Sequence, residues 1–170
     1  AFDTVDHKIL LAKLSHYGIR GISNQWFTSY LSDRLQFVSI GCSNSIPNPI
    51  THGVPQGSVL GPLLFLLYIN DLHNCIKSSE TYHFADDTHL LNFSNSLQSL
   101  TKRVNADLRY LSCWLHANKI SLNADKTEFL IFKSSFRTLD FRPVLRLGGK
   151  RIYSSHSVKY LGVHLDEHLT

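Results

Sequence analysis

Hydrophobic spacing in the first third of the chain predicts two helices. Residues 1–6 suggest a strand end or the turn after it, and Asp6 suits the N-cap of a helix that Gly18 ends. A second helix is predicted from about Ser23. The apolar positions that recur at helical spacing are Ile9, Leu10, Leu14 and Tyr17 in the first helix and Trp26, Phe27, Tyr30 and Leu31 in the second.

The next stretch alternates and then turns continuously apolar. Residues 35–40 alternate as in a strand, 43–49 are rich in turn residues, and 50–51 suggest a short strand. A glycine-rich loop then leads into the apolar run 63–69, which predicts a buried helix with Ser58 as its N-cap. Such a loop also exposes backbone amides that favour phosphate, although most glycine-rich turns are only turns.

Apolar and aromatic residues surround two adjacent carboxylates in the stretch 83–91. Strand-forming residues on both sides predict a β-hairpin with Asp86 and Asp87 at its tip. Two like charges on a tight turn repel each other, and Mg²⁺, which takes oxygen ligands, would remove that conflict. The alternative is a solvated turn, because aspartate is common in turns.

The second half begins with a long amphipathic helix over 96–118 and continues in short strands. A polar turn at 123–127 leads into a strand over 128–132. Further strands are predicted near 144–147 and 158–163, with turns at Gly148–Gly149 and at Gly162.

Composition indicates one globular domain without a membrane partner. The 170 residues are 43% hydrophobic and 18% charged. The apolar run 63–69 is too short to span a bilayer. An odd number of widely spaced cysteines (Cys42, Cys75 and Cys113) argues against a disulfide framework or a zinc site and fits a reducing compartment.

Positive charge is concentrated in the second half. Residues 1–100 carry a net charge of −2 and residues 101–170 a net charge of +6. Most of the excess, opposed in sequence by Asp140 alone, comes from Lys133, Arg137, Arg142, Arg146, Lys150, Arg151 and Lys159. These residues either follow a phosphate backbone or form an ordinary solvated face.

Five motifs in this order resemble the palm of reverse transcriptases, most closely those of non-LTR (LINE-like) retrotransposons. The resemblance covers essentially the whole chain, and the third motif is the family's aromatic-x-Asp-Asp box. The motifs are Ala-Phe-Asp-Thr-Val-Asp-His at 1–7, Gly-Val-Pro-Gln-Gly-Ser-Val-Leu-Gly-Pro at 53–62, Phe-Ala-Asp-Asp at 84–87, Leu-Asn-Ala-Asp-Lys-Thr at 122–127 and Val-Lys-Tyr-Leu-Gly-Val at 158–163.

The resemblance implies an α+β fold, a polymerase palm whose split βαβ, ferredoxin-like antiparallel sheet packs on helices. Residues 1–170 would be a partial reverse transcriptase domain, with the palm over about 1–135 and the palm end and start of the thumb connection over about 136–170. The implied reaction is two-metal extension of a primer 3′-hydroxyl. The implied cofactors are two Mg²⁺ ions, with Mn²⁺ as the alternative ion, and the implied partners are an RNA template, a DNA primer and dNTPs. The parent protein would act inside the host cell, in the nucleus and cytoplasm.

The resemblance also implies roles for individual residues. Asp86 would be a metal ligand, and Asp87 would contribute less directly, because neighbouring strand residues face opposite ways. Phe2 matches the bulky aromatic that excludes a 2′-hydroxyl; the alternative is a core phenylalanine. Gln56 and Gly57 match residues near the nascent base pair, where Gly57 would allow close approach of the backbone.

Lys126 matches the position proposed to protonate the leaving pyrophosphate, and its alternative is a solvated turn lysine.

The first motif departs from the family pattern. The chain has no Met and opens at Ala1 within the motif, so we interpret it as an N-terminally truncated piece of a longer polyprotein. In the family the catalytic Asp lies four residues before the equivalent of Ala1, and Asp3 is not that residue. The fingers and most of the thumb would also lie outside the chain, and we expect residues 1–170 alone to be inactive.

Two alternatives stay open at the level of sequence. One is a decayed or co-opted palm that binds nucleic acid or a protein partner without chemistry. The other is a related polymerase, such as a group II intron maturase or telomerase.

Overall fold

The computed structural model describes residues 2–121, 123–134, 136, 138–139 and 141–169. This part of the chain mixes helices with small sheets, as in an α+β fold. Its helices are α1 (His7–His16), α2 (Ile22–Leu31), α3 (Leu60–Ile69) and α4 (Leu97–Ala117). Its strands are β1 (Leu35–Gln36), β2 (Ser39–Ile40), β3 (Ser43–Asn44), β4 (Asn48–Pro49), β5 (Glu80–Phe84), β6 (Asp87–Leu91), β7 (Glu128–Phe129), β8 (Leu145–Leu147), β9 (Lys150–Ser154), β10 (Ser157–Tyr160) and β11 (Val163–Asp166).

The chain divides into two compact units. The first comprises residues 2–74, His83–His89 and Leu115–Ser121. The second comprises Cys75–Tyr82, Leu90–Trp114 and the described residues from 123 onward. The outer part of the β5–β6 hairpin therefore belongs to the first unit.

Helix α1 forms where the sequence predicts it. Asp6 accepts hydrogen bonds from the Lys8 and Ile9 amides at 2.9 and 3.0 Å, which confirms it as the N-cap. Gly18 follows the helix with a φ of 94°, a conformation that suits glycine. Residues 2–4 form a 3₁₀ turn rather than a strand end.

Helices α1, α2 and α3 pack together around the core of the first unit. Helix α2 begins at Ile22, close to the predicted start, but Trp26 is 53% exposed and only Leu31 of this helix is buried. The fully buried side chains of the first unit include Val5, before α1, and Leu10, Leu14, Leu31, Leu64 and Tyr68 from the helices.

Helix α3 has almost no polar residues, yet it is not buried all round as predicted. Leu64 is fully buried, whereas Leu63 and Leu66 are 50% and 46% exposed. Within the described part of the chain its apolar sequence therefore does not bring burial on every face. The N-cap is Val59, one residue later than the predicted Ser58, although the Oγ of Ser58 accepts a hydrogen bond from the Gly61 amide at 3.0 Å.

The predicted strand over 35–40 divides into two. β1 pairs with β4, and β2 pairs with β3, all antiparallel and all exposed. The predicted strand at 50–51 does not form, because β4 ends at Pro49. Alternation alone misled the prediction here, since no core lies against either face of these strands.

The predicted hairpin over 83–91 is confirmed, with its turn one residue earlier than expected. β5 and β6 form a two-stranded sheet joined by Ala85 and Asp86, and Asp87 is already the first residue of β6. Ala85 has a φ of 52°, as the first position of such a tight turn requires.

The second unit contains α4 and a three-stranded sheet of order β7-β9-β8. Within α4, Leu108 and Leu111 are buried on the predicted apolar face. β7 is shorter than the predicted 128–132 strand, because its parallel partner β9 ends at Ser154 opposite Phe129. The predicted 158–163 segment is instead the β10–β11 hairpin, which turns at Gly162.

Some sequence features lie outside the described residues, namely Ala1, Leu122, Arg137 and Asp140. No helix in the described ranges combines the length and apolarity needed to cross a bilayer.

Candidate active site

The first two sequence motifs are joined by backbone hydrogen bonds. We call residues 2–6 and 52–57 the junction. The Gly53 amide donates to the Val5 carbonyl at 2.8 Å, and the Val54 amide donates to the Phe2 carbonyl at 3.0 Å. Asp6 and His52 add an isolated antiparallel bridge. The fold therefore holds the glycine-rich loop directly against the segment that carries Phe2.

Gly53 makes this approach possible. Its φ is 86°, and a Cβ at this position would lie 2.9 Å from the Cα of Asp3. Gly57 also has a positive φ, of 76°, but a Cβ there would meet no atom of the described chain within 4 Å. Within the protein the close approach of two backbone segments occurs at Gly53, whereas the approach to a base pair expected at Gly57 stays a prediction.

The predicted substrate-binding residues of the first unit lie in this junction. Gln56 is exposed, and its Nε2 donates to Oδ1 of Asp3 at 2.7 Å. Phe2 is partly buried, with its ring 4.5 Å from that of Phe65 and tilted by 35°. The ring therefore already has a core contact, and its remaining surface is accessible.

Asp6 has a structural environment. Its side chain caps α1, and its second oxygen accepts from Nζ of Lys119 at 2.7 Å. The hydrogen bond from Lys119 is the main cause that lowers the pKa of this carboxyl. The hydroxyl of Tyr68, on α3, accepts a hydrogen bond from the Asp6 amide and donates one to the Asn118 carbonyl. This agrees with the sequence-based view that Asp6 is a cap.

The carboxylates at the hairpin tip have the opposite environment. Asp86 and Asp87 are exposed, and no described residue gives either one a side-chain hydrogen bond or an ion pair. On the same hairpin, desolvation together with His73 and His89 lowers the pKa of His83, which disfavours a positive charge on its ring. The fold leaves both carboxylates free to take an external ligand.

The base of the hairpin is fixed within the second unit. Asp107, fully buried on α4, accepts from the amides of Lys77 and Ser78 and from Oγ of Ser79, at 2.8–3.2 Å. Asn92 donates to the Ser78 carbonyl at 2.8 Å. These bonds hold the segment immediately before β5, and sequence reasoning missed Asp107 because it interrupts an otherwise amphipathic helix without a recognisable motif.

Lys126 belongs to the second unit. It closes the 3₁₀ turn Ala124–Lys126, where its amide donates to the Asn123 carbonyl at 3.2 Å, and its side chain is exposed. It is therefore not among the candidate residues that the first unit brings together.

The donor set at the tip fits a hard divalent cation only in part. Exposed carboxylate oxygens without protein partners are ligands that Mg²⁺ accepts, together with substrate phosphates. Within the described ranges, however, no three His, Cys, Asp or Glu side chains are grouped closely enough to hold a metal ion. Asp86 and Asp87 are thus two candidate ligands, and the described chain places no third beside them.

Comparison with known proteins identifies the family. The family model described as "Reverse transcriptase (RNA-dependent DNA polymerase)" matches residues 1–165. The chain is 32% identical over 190 residues to "Probable RNA-directed DNA polymerase from transposon BS" of Drosophila melanogaster, and 32% identical over 180 residues to "RNA-directed DNA polymerase from mobile element jockey" of the same species. Each alignment covers 100% of this chain and 19% of the relative.

A third relative comes from another insect element. The "Retrovirus-related Pol polyprotein from type-1 retrotransposable element R1" of Bradysia coprophila is 27% identical over 173 residues, covering 99% of this chain and 17% of its own length. The chain thus spans about a fifth of the length of the curated relatives it matches. The family match over nearly the whole chain, together with the motifs that the junction joins, shows that this protein belongs to the reverse transcriptase (RNA-dependent DNA polymerase) family, among the domains of LINE-like retrotransposons.

Proposed function

We propose that this chain forms part of the active centre of an RNA-directed DNA polymerase, which extends a DNA primer on an RNA template with dNTPs during retrotransposition. Family membership and the names of the relatives support this activity. Phosphoryl transfer depends mainly on positioning and charge neutralisation. An exposed pair of carboxylates without partners among the described residues, at the tip of a β-hairpin, suits the second requirement.

Asp86 and Asp87 would hold the divalent cations, with Asp86 as the direct ligand and Asp87 in the less direct role. Two bound Mg²⁺ ions would activate the primer 3′-hydroxyl and neutralise charge on the leaving pyrophosphate. Asp86 lies in the turn and Asp87 in a strand, so their side chains are held by different backbone geometries. That difference supports unequal roles.

The junction is the single observation that carries the proposal. Phe2 and Gln56 are separated by more than fifty positions in sequence. Even so, the Phe2 carbonyl accepts a hydrogen bond from the Val54 amide of the loop, and Gln56 donates one to Asp3, the residue next to Phe2. A residue that excludes the 2′-hydroxyl of a nucleotide and residues that contact its base pair must be close together. We propose these roles for Phe2, and for Gln56 and Gly57, respectively.

Release of the Asp3 bond would let Gln56 use its amide on a nucleic acid base, because a glutamine side chain both donates and accepts. Lys126 would act as the general acid for the leaving pyrophosphate. The Lys126 side chain is exposed and has no ion pair with a described residue, so it is accessible to a substrate.

We propose that the third acidic ligand is supplied by chain preceding residue 1, and that a strand there joins β5 and β6 in the split βαβ sheet of a palm. The two-stranded β5–β6 sheet and the two unaccompanied carboxylates support this arrangement. On this proposal residues 1–170 alone are inactive.

Primer extension on an RNA template with Mg²⁺ tests the proposal. A polypeptide extended upstream through the open reading frame should synthesise DNA, whereas residues 1–170 should not. Within the extended polypeptide, Asp86→Ala should abolish synthesis, while Asp71→Ala is the control for loss of a carboxylate, since Asp71 is ion-paired to Lys13 in the structure. Robust synthesis by residues 1–170, or by the extended Asp86→Ala variant, would overturn the proposal.

A further inference from the structure

An open cleft in the second unit lies between helix α4 and strand β8. It has a volume of about 500 Å³, and three of its lining side chains are cationic. The lining residues are Thr101, Lys102, Asn105, Arg109 and Arg146. Only Arg146 belongs to the basic stretch that the sequence identifies, so the structure adds two cations from a different element.

The geometry of α4 explains why these side chains converge. Lys102, Asn105 and Arg109 are three and four positions apart, so they lie on one face of the helix. Asn105 fixes β8 against this face, because its Nδ2 donates to the Val144 carbonyl at 2.9 Å and its Oδ1 accepts from the Arg146 amide at 3.0 Å.

Strand β8 exposes the cationic side chain of Arg146 and buries the leucines on either side of it. Leu145 and Leu147 are buried and Arg146 is exposed, which follows the two-residue period of a strand. Across the β8–β9 pair, Arg146 lies opposite Arg151 and Leu147 opposite Lys150. Both β9 cations are exposed, so the positive surface continues beyond the cleft.

These cations are not neutralised by the described part of the chain. No described carboxylate forms an ion pair with Lys102, Arg109, Arg146, Lys150 or Arg151. Lys133, from the same basic stretch, is instead bound by Glu167 at 3.1 Å. Clustered like charges reduce stability through mutual repulsion, so folding alone does not explain the cleft.

We infer that this cleft binds the phosphate backbone of a nucleic acid strand. The inference rests on the proposed function, which requires a nucleic acid partner, and adds a contact surface to it. Arginine forks match phosphate oxygens, lysine supplies a point charge, and the Asn105 and Thr101 side chains add polar groups on the same wall. Backbone binding of this kind is independent of base sequence and weakens with salt.

The test measures binding of the 170-residue chain to a short fluorescent RNA–DNA hybrid over a series of salt concentrations. The cleft variant is Lys102→Gln/Arg109→Gln, which removes two exposed cations from one helix face. The control is Lys8→Gln/Arg20→Gln, with the same change of net charge at positions in the first unit. Circular dichroism melting of each variant checks that the fold is retained, and Arg146→Gln, on the other wall, is an independent second variant.

Each lost phosphate contact should reduce the magnitude of the slope of log K against log salt by about one. The slope of the cleft variant should therefore fall by about two, and that of the control by much less. Equal losses in the cleft and control variants would overturn the inference, since net charge alone would then explain binding. Equal competition by poly-glutamate of matched charge would also overturn it, in favour of an acidic protein partner.

Hybrid binding by the 170-residue chain in the absence of divalent cations separates this inference from the proposed polymerase activity, because the cleft cations would bind phosphate without a metal ion. Cleft-dependent binding together with no synthesis by the extended polypeptide would retain the cleft and reject the polymerase proposal. Synthesis together with unaltered binding by the cleft variant would reject the cleft alone.

Discussion

The junction and the hairpin tip each carry two acidic residues, and the fold treats the two pairs differently. At the junction, Asp6 is 5% exposed and its oxygens are used by two amides and Lys119, while Asp3 accepts from Gln56. At the tip, Asp86 and Asp87 are exposed, and no described residue bonds their side chains. The fold gives the first pair structural partners and gives the second pair none among the described residues.

This contrast shows why acidic residues cannot be ranked as catalytic candidates from their motif alone. Asp3 and Asp6 lie in the first motif and Asp86 and Asp87 in the third. The number of protein partners that each carboxylate has is what separates a capping residue from a candidate ligand. The following substitutions test that separation, beginning with the one that should affect stability most.

Asp107→Ala should have the largest effect and lower the free energy of unfolding by about 3 kcal/mol. Buried donors left without an acceptor cost about 1–3 kcal/mol each. Its carboxylate accepts from two amides and one hydroxyl at the base of the hairpin. Asp107→Asn retains one carbonyl acceptor and should lose less. Urea unfolding of both variants measures the difference; equal stability of Asp107→Ala and the parent chain would contradict it.

Gly53→Ala should destabilise the junction by about 1–3 kcal/mol, since it adds backbone strain at a positive φ. Its Cβ would also contact the Asp3 backbone at 2.9 Å. Gly57→Ala is the matched control, because it has a positive φ but open space around the added methyl group. Thermal unfolding should therefore show a larger loss for Gly53→Ala, and equal losses would show that the close approach is unimportant.

Asp6→Ala should cost about 1 kcal/mol through loss of the N-cap. Asp6→Asn tests the charge separately, because asparagine caps helices about as well. The folded-state pKa of Asp6 is lowered, so its ionic contribution is present above the unfolded-state pKa, about 3.9, and is lost as pH falls through the lower folded-state pKa.

Urea unfolding at a series of pH values from about 5 downward measures this contribution. The parent chain should lose more stability on acidification than Asp6→Asn does. Parallel pH profiles for the two proteins would mean that the Lys119–Asp6 ion pair adds no pH-dependent stability.

Asp86→Asn and Asp87→Asn should have the smallest effect, within about 0.5 kcal/mol, as for surface substitutions without structural contacts. Removing one of two adjacent like charges could raise stability slightly. Urea unfolding without divalent cations is the measurement. A loss comparable to that of Asp107→Ala would show that the tip carboxylates serve the fold.

Local sequence signals predicted much of the secondary structure because their causes are local. The Asp6 cap, the α1 stop at Gly18, the β5–β6 hairpin and the apolar face of α4 depend on residues within a few positions of one another. The predicted 35–40 strand divides because no buried face holds it together, and its two halves pair with different strands. The predicted 128–132 strand is shortened because its partner β9, distant in sequence, ends opposite Phe129.

By itself, the sequence determined the family, the Asp86–Asp87 hairpin and the positions of the helices, because motifs, periodicity and caps are read along the chain. Only the tertiary structure decided that Phe2 and Gln56 share one junction, that the Asp3 backbone lies against Gly53, and that α4 and β8 bring cations to one cleft. Each of these depends on contacts between residues far apart in sequence. Such contacts form when the hydrophobic core packs, and no local pattern encodes them.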